Sequence, residues 1–121
     1  MNISIGRSGF GLAAIASLWD SQSGSYDKHE VRAEFGLFDE NAKKYFSQLE
    51  EERQSIESEL GEALTWHSAE NKKACKVYVR STVDLHDRSR WNEYHKWHVE
   101  KLAALKRVFA PRVKVLQVVE E

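Results

Sequence analysis

A short glycine-bounded segment near the start of the chain carries two side chains that could bind an anion. Gly6-Arg7-Ser8-Gly9 places a guanidinium and a hydroxyl between two residues of high turn propensity. The segment lacks the long glycine spacing and the Lys-Ser/Thr ending of a phosphate-binding P-loop, and no helical pattern follows it. The sequence therefore predicts a tight turn between two strands, with Arg7 and Ser8 at its tip as candidate anion ligands.

Two other groups of residues invite comparison with metal sites. Glu70-Asn71-Lys72 matches the Glu-x-Lys fragment of restriction-nuclease sites, where carboxylates hold a divalent ion and the lysine helps to activate water. This tripeptide falls in a predicted turn, and no aspartate precedes it on a core strand. His95 and His98 stand three apart on a predicted helix, with no acidic or cysteine partner at a metal-ligand spacing. We predict no catalytic residue, metal site or cofactor, and keep a nuclease using Glu70 and Lys72 as an alternative.

Charge is distributed unevenly along the chain. Residues 1–61 carry six Lys or Arg and eleven Asp or Glu, whereas residues 62–114 carry twelve and six. A basic excess of this kind permits a surface that meets nucleic-acid phosphates, although no base-reading helix signature accompanies it. Any affinity for DNA is therefore expected to be weak, nonspecific and sensitive to salt. The predicted binding residues are Arg7, Ser8, Lys72, Lys73, Arg80 and Arg88.

Tryptophan supplies a further candidate contact. Trp91 and Trp97 lie six residues apart on the second predicted helix, so they point in nearly opposite directions at 3.6 residues per turn. Because both cannot face the same core, we predict that Trp97 is the exposed aromatic residue.

The composition predicts one globular domain spanning residues 1–121, with 41% hydrophobic residues and a single proline. No apolar stretch approaches the roughly 20 residues of a membrane span, and no basic-then-apolar leader follows Met1. The only cysteine, Cys75, can form no internal disulfide and is expected to be buried on a strand. We therefore predict a cytoplasmic protein that does not associate with membranes.

Hydrophobic periodicity predicts the elements that position these residues. Asp39 can cap a helix that ends at Gly61, and Asp87 or Ser89 can open a second helix that Pro111 closes or bends. The order βββαββα is typical of an α+β fold, an antiparallel sheet of about five strands with two long helices on one face. Alternating apolar residues place the strands near residues 2–5, 10–16, 31–37, 64–66 and 75–79.

The chain after Pro111 is apolar enough to need a cover. It must either fold back on the domain or, if it is exposed, favour association with a second copy. The predicted homodimer surface consists of Val113, Val115, Leu116 and Val118.

An ordered series of short motifs resembles one known family. The motifs are residues 4–10 (SIGRSGF), 56–61 (IESELG), 64–66 (LTW), 87–91 (DRSRW) and 109–112 (FAPR). The series is similar to the domain of unknown function 4268, over about residues 3–116. This resemblance implies a place in DNA-processing or defence proteins, where the domain often follows a restriction-endonuclease-like region, and it implies no catalytic residues. Larger members carry a helical lead-in that is not seen here, so any nuclease would have to act from another polypeptide.

The residues and the resemblance together predict a noncatalytic module that binds DNA or docks onto a DNA-processing partner protein. A self-associating structural domain is the first alternative, and the metal-dependent nuclease is the second.

Overall fold

A computed structural model describes residues 2–117 of the chain. The order is three strands, two consecutive helices, two strands and a last helix that follows a 3₁₀ turn at Arg88–Arg90. The elements are β1 (Asn2–Ile3), β2 (Phe10–Ser17), β3 (His29–Leu37), α1 (Ala42–Glu51), α2 (Arg53–Leu60), β4 (Thr65–Ser68), β5 (Cys75–Val83) and α3 (Trp91–Val113).

The strands form one antiparallel sheet in the order β1-β2-β3-β5-β4. The predicted α+β class and the antiparallel sheet are confirmed. The first strand is shorter than predicted, because β1 pairs with β2 over only two residues, so four strands of four or more residues make up most of the sheet. Side chains alternate between the two faces along each strand. In β3 the buried residues Ala33, Phe35 and Leu37 therefore share one face.

All three helices contribute to a core on that face. Leu49 of α1, Ile56 of α2 and Phe109 of α3 have no exposed surface. The Phe109 ring stacks on Phe35 with the ring centroids 4.3 Å apart, which ties the longest helix to the centre of the sheet. None of the helices in the described part of the chain is both long and apolar enough to cross a membrane.

The helices differ from the prediction of two long ones. Glu52 interrupts the first, with φ −97° and ψ 12°, and its N–H donates to the carbonyl of Leu49 three residues back, at 2.9 Å. This tighter turn ends α1 and lets α2 start in a new direction. The predicted cap Asp39 instead accepts a hydrogen bond from the N–H of Asn41, which is the actual N-cap. Gly61 ends α2 with φ 86°, as its position predicted.

The end of the described chain corrects the predicted dimer surface. Pro111 lies inside α3, which continues to Val113. Val113 and Leu116 are buried in the chain's own core, because the end of α3 and the turn that follows it bring both against the sheet and helices. Val115 is 73% exposed, and Val118 lies outside the described residues. Two of the four proposed contact residues are therefore already covered within one chain.

Candidate functional site

Within residues 2–117, no helix covers the second face of the sheet, and the strand register determines which residues this face carries. The residues that alternate with the core positions face outward here. We call this the open face. One row across it consists of Gly11, Gly36, Lys76 and His67, and the next consists of Ala13, Glu34, Tyr78 and Thr65.

Phe38 is the most prominent side chain on the open face. It follows the last residue of β3, and its N–H donates to the carbonyl of Gly9 at 2.7 Å, so the backbone pairing extends to this point. The far end of its ring lies over Gly36, where a Cβ atom would overlap it, and 3.7 Å from the position of a Cβ on Gly11. The residue remains 59% exposed. An aromatic ring is thus held against a pair of glycines while much of its surface meets solvent.

A trench of about 860 Å³ surrounds this ring. Its volume lies within the range of small-ligand sites. The floor is formed by small residues of β2 and β3, and the β4–β5 turn forms one rim. Side chains that line the trench include Ser8, Phe38, His67, Lys72 and Lys76.

The β4–β5 side of the trench is basic. Lys72 is exposed in the turn, and Lys76 is 40% exposed at the start of β5. Lys43 of α1 donates to the Ser68 hydroxyl at 2.7 Å and to the carbonyl of Ala69, which fixes the base of the turn. The turn that carries Lys72 is therefore held against α1, and Lys76 follows it on the open face of β5.

One carboxylate, Glu34, lies within the trench and is already engaged. Its Oε2 accepts from Arg32 Nε at 2.7 Å and lies 3.9 Å from Lys76 Nζ. The side chain is 13% exposed. Arg32, which also pairs with Glu30, therefore offsets part of the Glu34 charge, and the long contact leaves Lys76 able to meet another anion.

Arg7 does not project from the loop as predicted. Its guanidinium turns inward and donates to the carbonyls of Val113 at 2.7 Å and Leu116 at 2.9 Å, and to the Tyr45 hydroxyl at 3.2 Å. Carbonyls at the C-terminal end of a helix carry partial negative charge that attracts a cation, which explains this orientation. Ser8, the other predicted ligand of this loop, is exposed and lines the trench.

Arg80 is committed to ion pairs at the opposite end of the open face. It pairs with Asp20 and, through Nε at 2.7 Å, with Glu30 Oε1, while Arg32 Nη1 lies 2.6 Å from Glu30 Oε2. Burial alone raises the pKa of Glu30, but hydrogen bonds from Ser21, Arg80 and Arg32 outweigh it and hold the pKa at about 2. These contacts fasten the β2–β3 connection to the sheet.

The remaining predicted binding residues, Lys73 and Arg88, do not lie on one surface. Lys73 is exposed in the β4–β5 turn next to Lys72, whereas Arg88 lies beyond the far end of β5, with its guanidinium carbon 5.4 Å from the centre of the Trp91 ring. The prediction that Trp97 is the exposed tryptophan is wrong. Trp97 packs against the core, and Trp91, the first residue of α3, is 50% exposed and donates its indole N–H to the carbonyl of Leu85 at 2.8 Å.

The residues considered for metal chemistry remain apart. Glu70 is exposed in the β4–β5 turn, and His98 Nε2 lies 2.9 Å from the carbonyl oxygen of Ile15. Within residues 2–117, no three His, Cys, Asp or Glu side chains are grouped so that they could hold a metal ion.

Sequence reasoning missed Phe38, Lys76 and the two glycines beneath the ring. One signal was available. Phe38 breaks the apolar alternation of β3 by following Leu37 directly, and Gly36 interrupts the strand pattern, as glycine does where another group approaches closely.

Comparison with known proteins identifies the family of this chain. The family model described as "Domain of unknown function (DUF4268)" matches residues 1–113. No curated protein and no solved structure matches the chain.

Proposed function

We propose that this chain, which belongs to the DUF4268 family, is a noncatalytic module that binds nucleic acid through the open face of its sheet. It serves DNA-processing or defence proteins of the restriction type, as the family resemblance implies, and acts in the cytoplasm, which the single cysteine, Cys75, favours.

The trench beside Phe38 is the observation that carries this proposal. Nucleic-acid binding needs cations for the phosphates and an apolar surface for sugars or bases. Lys72 and Lys76 supply the cations. The exposed Phe38 ring and the small residues on the floor of the trench supply the apolar surface. Lys73 adds a third ammonium group next to the same rim.

Charge reversal on the rim tests the proposal. We expect Lys72→Glu combined with Lys76→Glu to abolish most binding of a labelled oligonucleotide at ~50 mM salt, since phosphate contacts dominate affinity at low ionic strength. In the wild type, binding should weaken steeply with added salt, and each lysine lost should reduce the slope by about one. Fluorescence anisotropy measures both quantities.

A matched control is available on the other side of the molecule. Lys96 and Lys106 are exposed on α3, away from the open face. Reversing both makes the same change in net charge and should leave most of the affinity. Equal losses from the two double variants, or no binding by the wild type, would contradict the proposal. Arg80 is unsuitable for this test, because its replacement would disrupt the ion pairs with Asp20 and Glu30.

Docking onto a protein partner or a second copy is the other candidate function, and it is favoured by a different surface. The β2–β3 connection exposes three large apolar side chains, Leu18 at 56%, Trp19 at 38% and Tyr26 at 76%. An antiparallel bridge between Asp20 and Ser25 places Trp19 and Tyr26 opposite each other. Aromatic anchors of this kind are common in protein interfaces.

A further inference from the structure

We infer that the trench takes unpaired bases, with one base stacked on Phe38, so that the ligand is a single strand and not a duplex. This inference rests on the nucleic-acid function proposed above and specifies which form of nucleic acid fits the site.

The glycine pair under Phe38 is the first argument. Neither Gly11 nor Gly36 has a positive φ, so both have backbone conformations that any residue adopts. Glycine weakens a strand interior, and here the backbone does not require it. What Gly36 provides is space, because a Cβ there would overlap the Phe38 ring, whereas a Cβ on Gly11 would lie 3.7 Å from the ring, in ordinary contact. The sheet surface is thus shaped to hold this ring close to the backbone.

The exposure of the ring is the second argument. Phe38 leaves 59% of its surface uncovered although the core contains several well-packed aromatic rings. An aromatic ring held on a sheet surface is a stacking platform for bases, because every base has a π face. In a duplex those faces are stacked on each other and only base edges and backbone are accessible. An aromatic platform of this kind therefore selects unpaired bases.

The arrangement of charge and a second ring is the third argument. Lys76 pairs in register with Gly36, the residue under the platform, and its ammonium group extends towards Glu34 in the next row, 3.9 Å from Oε2. Tyr78, two residues along the same strand, is half-buried on the same face, with Lys76 Nζ 5.7 Å and the Arg32 guanidinium carbon 5.6 Å from its ring centre. Two rings with adjacent cations match a short single strand better than an uncharged or basic peptide.

The test compares the wild type and three variants on two ligands. The ligands are a labelled single strand of about 12 nucleotides and the same sequence as a duplex. Wild type should bind the single strand at least tenfold more tightly. Phe38→Ala should weaken single-strand binding about tenfold or more, whereas Phe38→Tyr keeps a ring and should retain it. Tyr26→Ala removes an even more exposed aromatic residue, from the other end of the sheet, and should change nothing.

Gly36→Ala provides a second route to the same prediction. The added Cβ must displace the far end of a flexible side chain, so the fold should persist while Phe38 leaves its position. We expect single-strand binding to fall as it does in Phe38→Ala. Thermal melts of all variants check that they remain folded, and Phe38→Ala alone suffices if Gly36→Ala does not fold.

The outcomes separate this inference from the proposed function. If the duplex binds as tightly as the single strand, or if Phe38→Ala binds like wild type while reversal of Lys72 and Lys76 abolishes binding, stacking is overturned and nucleic-acid binding stands. If the wild type binds neither ligand, the proposed function itself fails.

Discussion

Glu30 lies on the open face of the sheet, and its carboxylate side chain has no exposed surface. Buried charges are costly unless they are paired and hydrogen-bonded. Arg80 and Arg32 pair with its two oxygens, and Ser21 donates to Oε1 through its N–H at 3.0 Å and its hydroxyl at 2.7 Å. The side chain therefore stabilises the fold only in its ionised form.

We predict that Glu30→Gln loses stability in a pH-dependent manner. The pKa of Glu30 is lowered from 4.5 to about 2, so its contribution is complete above about pH 5 and is lost as the pH falls towards 2. A shift of this size corresponds to on the order of 3 kcal/mol near pH 7. Urea denaturation should show the gap between wild type and variant shrinking to less than half near pH 3. A gap that stays constant from pH 7 to pH 3 would be inconsistent with this account.

Glu93→Gln is the matched control for that experiment. Glu93 pairs with Arg90 on the surface of α3, where its side chain is 62% exposed. Exposed pairs contribute little to stability, so this variant should follow the wild type at every pH.

Arg7 illustrates what the sequence could not decide at the residue scale. The glycines beside it predicted a turn, because turn propensity is local, and Gly6 and Gly9 do have positive φ. The partner of the guanidinium is not local. Val113 and Leu116 lie more than a hundred residues away, so only the folded chain shows that their carbonyls are the acceptors.

At the scale of elements, the buried positions of the helices were predictable from the spacing of apolar residues. Leu49 and Ile56 are seven residues apart and both are buried, although Glu52 separates them into two helices. The break was not predictable, because residues around Glu52 have ordinary helix propensity and the change of direction serves packing against α3. Phe38 was missed for a related reason. The sequence does not show which face of the sheet the helices cover, so the open face could not be identified in advance.

The buried stripe gives a direct prediction for α1. Leu49→Ala should lower the free energy of unfolding by about 2–5 kcal/mol, because it removes a side chain with no exposed surface and leaves a cavity. Glu50→Ala, at the adjacent exposed position, should change it by less than about 0.5 kcal/mol. Denaturant melts of the two variants measure these free energies of unfolding. Similar decreases in both variants would refute the placement of α1.

At the scale of the whole molecule, the surfaces available for assembly differ from those that the sequence suggested. The tail residues Val113 and Leu116 are covered within the chain, whereas Leu18, Trp19 and Tyr26 are exposed together on the β2–β3 connection. The sequence could not distinguish the buried tail from the exposed connection, because a run of apolar residues has the same pattern whether it packs in its own core or against another chain.

We predict that any self-association depends on this connection. Light scattering over a concentration series should show a mass above 14.0 kDa that returns to the monomer value in the double variant Trp19→Ser, Tyr26→Ser. Val115→Ser, which changes an exposed residue next to the buried tail positions, is the control and should keep the wild-type mass. A monomer at every concentration, or a dimer lost only with Val115→Ser, would exclude this surface.

The central claim is that nucleic acid binds to the open face of the sheet. A titration of the ¹⁵N-labelled protein with a short single-stranded oligonucleotide, followed by amide chemical shifts, tests it most directly. We predict the largest changes at Gly11, Gly36 and Lys76, which lie in one row of the open face, and none at Gly61, which ends α2 on the helical side. Shifts confined to α3 or to the β2–β3 connection, or no shifts at a saturating concentration, would contradict the claim.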